Sequence, residues 1–223
     1  MERKKFEIIE NAPKKKFEII SETSLKRKFE IKSKKRFEIK TQEGENITLE
    51  WFQQRNANDC GPCLILNGLR RIEGVQHIPD DISEVRREVN RLREERGRPE
   101  LGPSDWFTSE DIGRYLSEIA GLNVEEYACF ADVAEETERN IRNSLEERPF
   151  DMLYSTAGRH FRGVVPKEEN FELLDSLQDA PTESTADSIN NMVAGSVYAA
   201  SRERVERLGI VRRGQPGYTV KSF

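Results

Sequence analysis

The sequence predicts an α+β domain that follows a disordered basic tail. Apolar residues at helical spacing concentrate between residues 60 and 148, whereas the alternation typical of strands concentrates between residues 150 and 175. The first 43 residues contain too few apolar side chains to form a core. We therefore expect residues 44–223 to form one domain, with a helical half followed by an antiparallel sheet.

The tail, residues 1–43, contains four copies of three basic residues followed by Phe-Glu-Ile. Their phenylalanines are Phe6, Phe17, Phe29 and Phe37, at spacings too short and too uneven for a solenoid. Each copy offers only Phe and Ile to a core, which does not offset a backbone ordering cost of about 1–2 kcal/mol per residue. Disorder is therefore expected. The recurrence favours repeated docking to a protein partner over a merely solubilising tail.

The charge balance of the chain changes near the boundary between the tail and the domain. Residues 1–40 hold 14 basic and 7 acidic side chains, which leaves 22 basic and 34 acidic side chains in residues 41–223. The tail could bind nucleic acid through phosphates, but the acidic domain makes a protein partner the favoured prediction. No apolar run reaches the ~18–20 residues of a membrane span, and three cysteines are too few for a disulfide framework. A cytoplasmic location without membrane contact is expected.

The first half of the domain begins with a strand and continues in helices. Ile47–Trp51 alternates with period two, and the apolar run from Cys60 to Leu69 predicts a buried helix that Asn58 or Asp59 could cap. Three further helices are predicted from an apolar stripe, a capping box or periodic apolar residues. The first carries the apolar stripe Ile82, Val85, Val89 and Leu92. The second begins at the capping box Thr108–Asp111 and carries Ile112, Tyr115, Leu116 and Ile119. The third carries Val133, Ile141 and Leu145.

The second half is predicted to supply the sheet. Strands are expected at 150–154, 160–165 and 171–175, a long helix at roughly 185–208, and a last strand at 217–220. A four-residue turn at Pro166–Glu169 would place His160 directly opposite Asp175. Cross-strand neighbours have Cβ atoms about 5 Å apart, close enough for a bond between imidazole and carboxylate.

The candidate catalytic residues are Cys60, His160, Asp175 and Gln54. A helix N-terminus lowers the pKa of a thiol, so Cys60 at the start of its helix is a candidate nucleophile. His160 would be the base and Asp175 would orient it. The Cys60 backbone N–H and the Gln54 side-chain amide could stabilise an oxyanion.

These residues carry a resemblance to papain-like cysteine peptidases, in the order Cys60, His160, Asp175 with Gln54 six residues before the cysteine. Asp59-Cys-Gly-Pro-Cys-Leu followed by helices and then His160-Phe resembles the peptidases that cleave double-glycine bacteriocin leaders. The Gln53-Gln-Arg-Asn-Ala-Asn-Asp-Cys-Gly block and Asp105-Trp-Phe-Thr-Ser-Glu-Asp-Ile instead resemble SUMO and ubiquitin-like-protein proteases. His160-Phe and Leu174-Asp175-Ser-Leu177 are similar to the His-Trp and Tyr-Asp-Ser-Leu blocks of that family. In that second family the His and Asp blocks precede the Cys block, so this chain would be circularly permuted.

The resemblance implies a papain-like fold and a thiol peptidase that needs no cofactor or metal. Its substrate would be a protein or peptide, with a ubiquitin-like conjugate or a small-residue C-terminal tail as the named possibilities. Two alternatives stay open. One is a non-catalytic module that docks through the Phe-Glu-Ile repeats, and the other is a thiol-disulfide oxidoreductase built on Cys60-Gly-Pro-Cys63.

Overall fold

The computed structural model describes residues 34–40, 46–75, 77–129, 150–157, 160–198 and 206–222, together with positions 139 and 143. The first three tail repeats and the predicted helix with Val133, Ile141 and Leu145 lie outside these residues. Within the described ranges, no helix combines the length and the apolar character needed to cross a bilayer.

The α+β class is confirmed. The strands are β1 Lys34–Lys40, β2 Asn46–Phe52, β3 Asn123–Cys129, β4 Met152–Ala157, β5 His160–Lys167, β6 Asn170–Leu174, β7 Thr182–Ser184, β8 Glu206–Arg212 and β9 Gly217–Ser222. The helices are α1 Cys60–Leu69, α2 Ile82–Glu94, α3 Ser109–Arg114, which continues as a π-helical turn over Tyr115–Ile119, and α4 Ala186–Tyr198. A short 3-10 turn, Ala57–Asp59, precedes α1.

The main sheet has seven strands in the order β7-β6-β5-β4-β8-β3-β9. All neighbours in it are antiparallel except β3 and β9, which are parallel, so the sheet is mixed rather than wholly antiparallel as predicted. The helix α1 packs across β5, with Gly163 facing Leu64 at a distance that leaves no room for a side chain. This contact places the start of α1 beside the start of β5.

The fourth tail repeat is part of the described structure. Lys34–Lys40 forms β1, which pairs antiparallel with β2 in a separate two-stranded sheet. This differs from the expectation of disorder across residues 1–43. The physical reason is that β2 offers an edge to which the alternating Phe and Ile of the repeat can add as a strand.

Two further elements differ from the sequence expectation. Within the described residues the last helix covers Ala186–Tyr198, and it does not reach residue 208 because Glu206–Arg212 forms β8 between β3 and β4. Leu208 and Ile210 are buried in that strand. The strand β3 was missed because it contains Glu125 and Glu126. Glu126 is nevertheless buried, and it accepts hydrogen bonds from the hydroxyls of Tyr218 on the neighbouring strand β9 and of Tyr154 on β4, beyond β8.

The β5–β6 hairpin forms, but its register is two residues away from the predicted one. Val164 pairs with Leu173, and Lys167 pairs with Asn170, so the turn contains only Glu168 and Glu169. Pro166 lies within β5, beyond the part of the strand that β4 also flanks. A proline is tolerated there because no second neighbour requires its missing N–H.

Candidate active site

Cys60 is the first residue of α1, and its side chain is buried. The following residue, Gly61, lies against Phe107, where a Cβ atom would come within 2.9 Å of the Phe107 Cβ. Glycine is therefore needed for the helix to start at this place. The backbone N–H groups of the first helical turn point back toward the Cys60 end, as in any α-helix.

The residue before the helix does not cap it as the sequence suggested. Asp59 occupies the N-cap position, but its side chain makes no capping hydrogen bond. Its carboxylate instead accepts hydrogen bonds from Arg86 at 3.0 Å and from the Asn56 amide at 3.3 Å. The Asn58 amide donates to the Ser104 carbonyl. These contacts attach the loop before Cys60 to α2 and to the loop that precedes α3.

His160 and Asp175 lie on the same face of the hairpin. One step beyond the last recorded pair, Asp175 comes opposite Arg162, and His160 is its diagonal neighbour. A two-residue shift preserves the face of every side chain, so the predicted contact still forms. His160 Nε2 lies 2.8 Å from Asp175 Oδ1. The other carboxylate oxygen, Oδ2, lies 3.2 Å from Arg162 Nε.

The imidazole of His160 contacts both Asp175 and Cys60. Burial acts to lower the pKa of His160, but hydrogen bonds and charge from Asp175 and Cys60 outweigh it and raise the pKa from 6.5 to about 9. Burial would raise the pKa of the Asp175 carboxyl, yet the bonds from His160 and from the Leu177 backbone N–H lower it. The site therefore favours a protonated imidazole beside an ionised carboxylate.

Contacts on both sides hold Gln54 against Ser176, the residue that follows Asp175. Just before Gln54, the Phe52 backbone N–H and carbonyl both bond to the Asn67 side chain of α1, each at 2.9 Å. Gln54 N–H itself donates to the Ser176 carbonyl at 3.0 Å. The Ser176 hydroxyl in turn donates to Gln54 Oε1 at 2.6 Å. The amide nitrogen, Nε2, also donates to the Asn56 carbonyl at 3.4 Å, so the second N–H of the amide is the part of the side chain left to face other partners.

A single short segment joins these contacts, and we call it the 175–179 turn. Besides Asp175 and Ser176, its Gln178 carbonyl accepts a hydrogen bond from the Trp51 indole at 3.1 Å. Its last residue, Asp179, forms an ion pair with Lys35 of β1 at 2.6 Å. The turn thus connects the hairpin with β2 and with the fourth tail repeat.

The structure brings Cys60, His160 and Asp175 into contact, and Gln54 bonds to Ser176, the residue that follows Asp175. Sequence reasoning missed Ser176, Asn67 and Arg162, which hold them in place. Asn67 could have been noticed as the one polar side chain inside an otherwise apolar helix. Cys63, one turn along α1, is also buried, and burial raises the pKa of its thiol well above the usual value. In the ranges that the structure describes, no three metal-ligating side chains gather into a cluster.

Comparisons with known proteins give little to set beside this site. No protein-family profile and no curated protein matches the sequence. Among solved structures, UfSP from C. elegans is similar with a TM-score of 0.45 and 11% sequence identity, over 76% of this chain and 34% of that chain. The chain thus spans about a third of the length of that protein. The side-chain geometry, and not this likeness, is the basis for the function proposed next.

Proposed function

We propose that this protein is a papain-like cysteine peptidase that cleaves a protein or peptide substrate. The observation that carries the proposal is the imidazole of His160, which contacts both the Cys60 side chain and the Asp175 carboxylate. A nucleophile, a base and a group that orients the base are the three parts that acyl transfer by a thiol requires. The sequence resemblance makes a ubiquitin-like conjugate the first substrate class to test.

The proposed chemistry gives each side chain a defined role, and His160 acts in more than one step. His160 holds the proton of the Cys60 thiol as an imidazolium, and the Cys60 thiolate beside it attacks the scissile carbonyl carbon to form a tetrahedral intermediate. The Gln54 amide and the Cys60 backbone N–H donate to its oxyanion. The protonated His160 then gives its proton to the leaving amine, which produces an acyl-enzyme. Water, deprotonated by His160, attacks this thioester, and hydrolysis releases the acid and restores the thiol.

Thiol reactivity tests the nucleophile. We expect iodoacetamide at neutral pH to alkylate Cys60 at least about tenfold faster than Cys63, because a histidine partner and a helix N-terminus favour the thiolate. Cys63 is a matched control, since it lies on the same helix, is equally buried and has a raised pKa. Tryptic peptides followed by mass spectrometry over time would give both rates.

Equal rates for the two thiols would refute Cys60 as the nucleophile. The activity of a Cys63→Ser variant separates the oxidoreductase alternative, which needs both thiols. In that case Cys63→Ser would abolish activity, whereas a peptidase keeps its turnover in this variant.

We expect loss of the Gln54 amide to lower kcat rather than to raise KM. Gln54→Ala should lower kcat by about 10²–10³-fold with little change in KM, as is typical for the loss of one oxyanion donor. Ser176→Ala should lower kcat by about 10–10²-fold, because the amide loses the hydroxyl that fixes its orientation. Steady-state kinetics on a peptide reporter would measure both effects, and Ser176→Thr, which keeps a hydroxyl, is the conservative control.

Combining the two substitutions distinguishes a role of Ser176 in positioning the Gln54 amide from a general loss of structure. In a Gln54→Ala background, Ser176→Ala should have almost no further effect on kcat, because the group that it positions is already absent. If the two losses multiplied instead, Ser176 would act on something other than Gln54.

A further inference from the structure

The edge of β2 beside the candidate active site is occupied by a repeat that has three near-identical copies in the same chain. The pairing runs in one antiparallel register from Lys34 opposite Phe52 to Lys40 opposite Asn46. The strand β2 leads directly into Gln53 and Gln54, so this edge adjoins the site. Backbone hydrogen bonds in such a pairing do not depend on sequence, and specificity comes from the side chains.

Two acidic residues of the domain contact the basic part of the fourth repeat. Lys35 Nζ lies 2.6 Å from Asp179 Oδ1, and this hydrogen bond lowers the pKa of the Asp179 carboxyl. Arg36 Nε lies 3.6 Å from a Glu50 carboxylate oxygen, and the second oxygen of Glu50 contacts Arg70. The domain therefore recognises two consecutive cations placed two residues and one residue before the repeat's phenylalanine.

The other repeats carry cations at both of these positions. Aligned on the phenylalanine, the counterparts of Lys35 are Lys4, Lys15 and Arg27, and those of Arg36 are Lys5, Lys16 and Lys28. Each copy also continues with Glu and Ile in the same order. Every copy can thus offer the same charges and the same alternating apolar pair to β2.

We propose that the β2 edge is an exchange site for which the four repeats of one chain compete. The fourth copy holds the site because it is nearest, not because its sequence is better suited. When a partner captures the fourth copy, another copy takes its place and β2 stays paired. A repeat can then be given up to a partner without leaving an open strand edge beside Gln54, a situation that proteins otherwise avoid.

Loop lengths give the expected occupancies. Five residues, 41–45, connect the fourth copy to β2, whereas the loops for the third, second and first copies would contain 13, 25 and 36 residues. Loop-closure entropy grows as three halves of RT times the logarithm of length. The third, second and first copies should therefore occupy the site about 4-, 11- and 19-fold less often than the fourth.

A repeat from a second molecule is the competing occupant. Its binding depends on protein concentration, whereas a tethered repeat has an effective concentration of about a millimolar for short flexible linkers. At micromolar protein the tethered copies are therefore favoured, and this difference gives the experiment its readout.

Zero-length coupling with a carbodiimide would record which lysine contacts Asp179 in the full chain. The reagent joins a carboxylate to an amine only when the two are in contact, and mass spectrometry identifies the lysine. In the native chain we expect a dominant Asp179–Lys35 adduct and an Asp179–Lys15 adduct about elevenfold weaker. Arginine does not couple, so the third copy becomes visible only in an Arg27→Lys variant, where its adduct should reach about a quarter of the Lys35 yield.

Charge reversal in the fourth copy provides the decisive comparison. With Lys35→Glu and Arg36→Glu together, the Asp179–Lys15 adduct should rise and exceed the Asp179–Lys4 adduct about twofold, in monomers and independently of protein concentration. The matched control is Lys4→Glu with Lys5→Glu in the first copy, which should leave the Lys35 adduct unchanged.

Three results would overturn the proposal. The first is an adduct found only in covalent dimers, which would make a second molecule the occupant. The second is the absence of any Lys15 or Lys4 adduct in the charge-reversed chain. The third does not depend on the folding of that variant: an Arg27→Lys chain that couples to Asp179 only through Lys35 would show that the site accepts the fourth copy alone.

Discussion

His160→Ala is expected to lower kcat on a peptide reporter by about 10⁴–10⁶-fold, the range seen when the base of a catalytic triad is removed. His160 is the side chain that contacts both Cys60 and Asp175, so its loss leaves the thiol without a base and the leaving amine without an acid. Cys60→Ala should have an equally large effect. Because the two residues act as one unit, the double variant should be no slower than either single variant.

The chain provides a matched control for this experiment. His77, the other histidine, is largely exposed and lies near Glu84. His77→Ala should leave kcat within about twofold of the native value, since a surface substitution away from the site has small effects. Retention of more than about a tenth of the activity in His160→Ala would remove His160 from the proposed mechanism.

Asp175→Asn is expected to change the pH profile as well as the rate. In the native protein the pKa of His160 is raised to about 9, so the imidazole keeps its proton at neutral pH and loses it as the pH rises through about 9. The alkaline limb of kcat/KM should therefore lie near pH 9. Without the Asp175 charge this limb should move toward 6.5, and kcat should fall by about 10²–10⁴-fold because the imidazole is poorly oriented.

The free energy of unfolding should also depend on the titration of His160. A pKa raised in the folded state contributes stability that is fully present below the unfolded pKa of about 6.5 and is lost as the pH rises through about 9. The urea midpoint of the native protein should thus exceed that of Asp175→Asn more at pH 6 than at pH 10. Asp187→Asn, at an exposed position in the first turn of α4, is the control. An alkaline limb that stays at the native pH in Asp175→Asn would show that Asp175 does not set the His160 pKa.

The sequence predicts those elements of this fold whose signals lie in neighbouring residues, and it fails for elements that depend on contacts with distant parts of the chain. The helix α1 and the strand β2 follow from apolar runs and from alternation, which are properties of neighbouring residues. The strand β3 could not be predicted in this way. The burial of Glu126 is acceptable only because two tyrosine hydroxyls and Arg207 reach it from other strands.

The candidate site shows the same limit. The order of Cys60, His160 and Asp175 indicates the chemistry, and the contact between His160 and Asp175 follows from their shared hairpin face. The register does not follow, because Pro166-Lys-Glu-Glu is compatible with a turn of either two or four residues. The bond between Ser176 and Gln54 joins residues 122 positions apart, and no local pattern predicts it.

The 175–179 turn has a consequence for protein engineering. Within five residues it reaches His160, Gln54, Trp51 and Lys35, so its spacing is fixed at both ends. An insertion or deletion of one residue inside it would displace several of these contacts at once, and no single compensating substitution could restore them. Loop grafting intended to change substrate preference should therefore leave this turn intact. The loop before α3 is the better place, because Ser104 contacts the site region through its backbone carbonyl, which does not depend on side-chain identity.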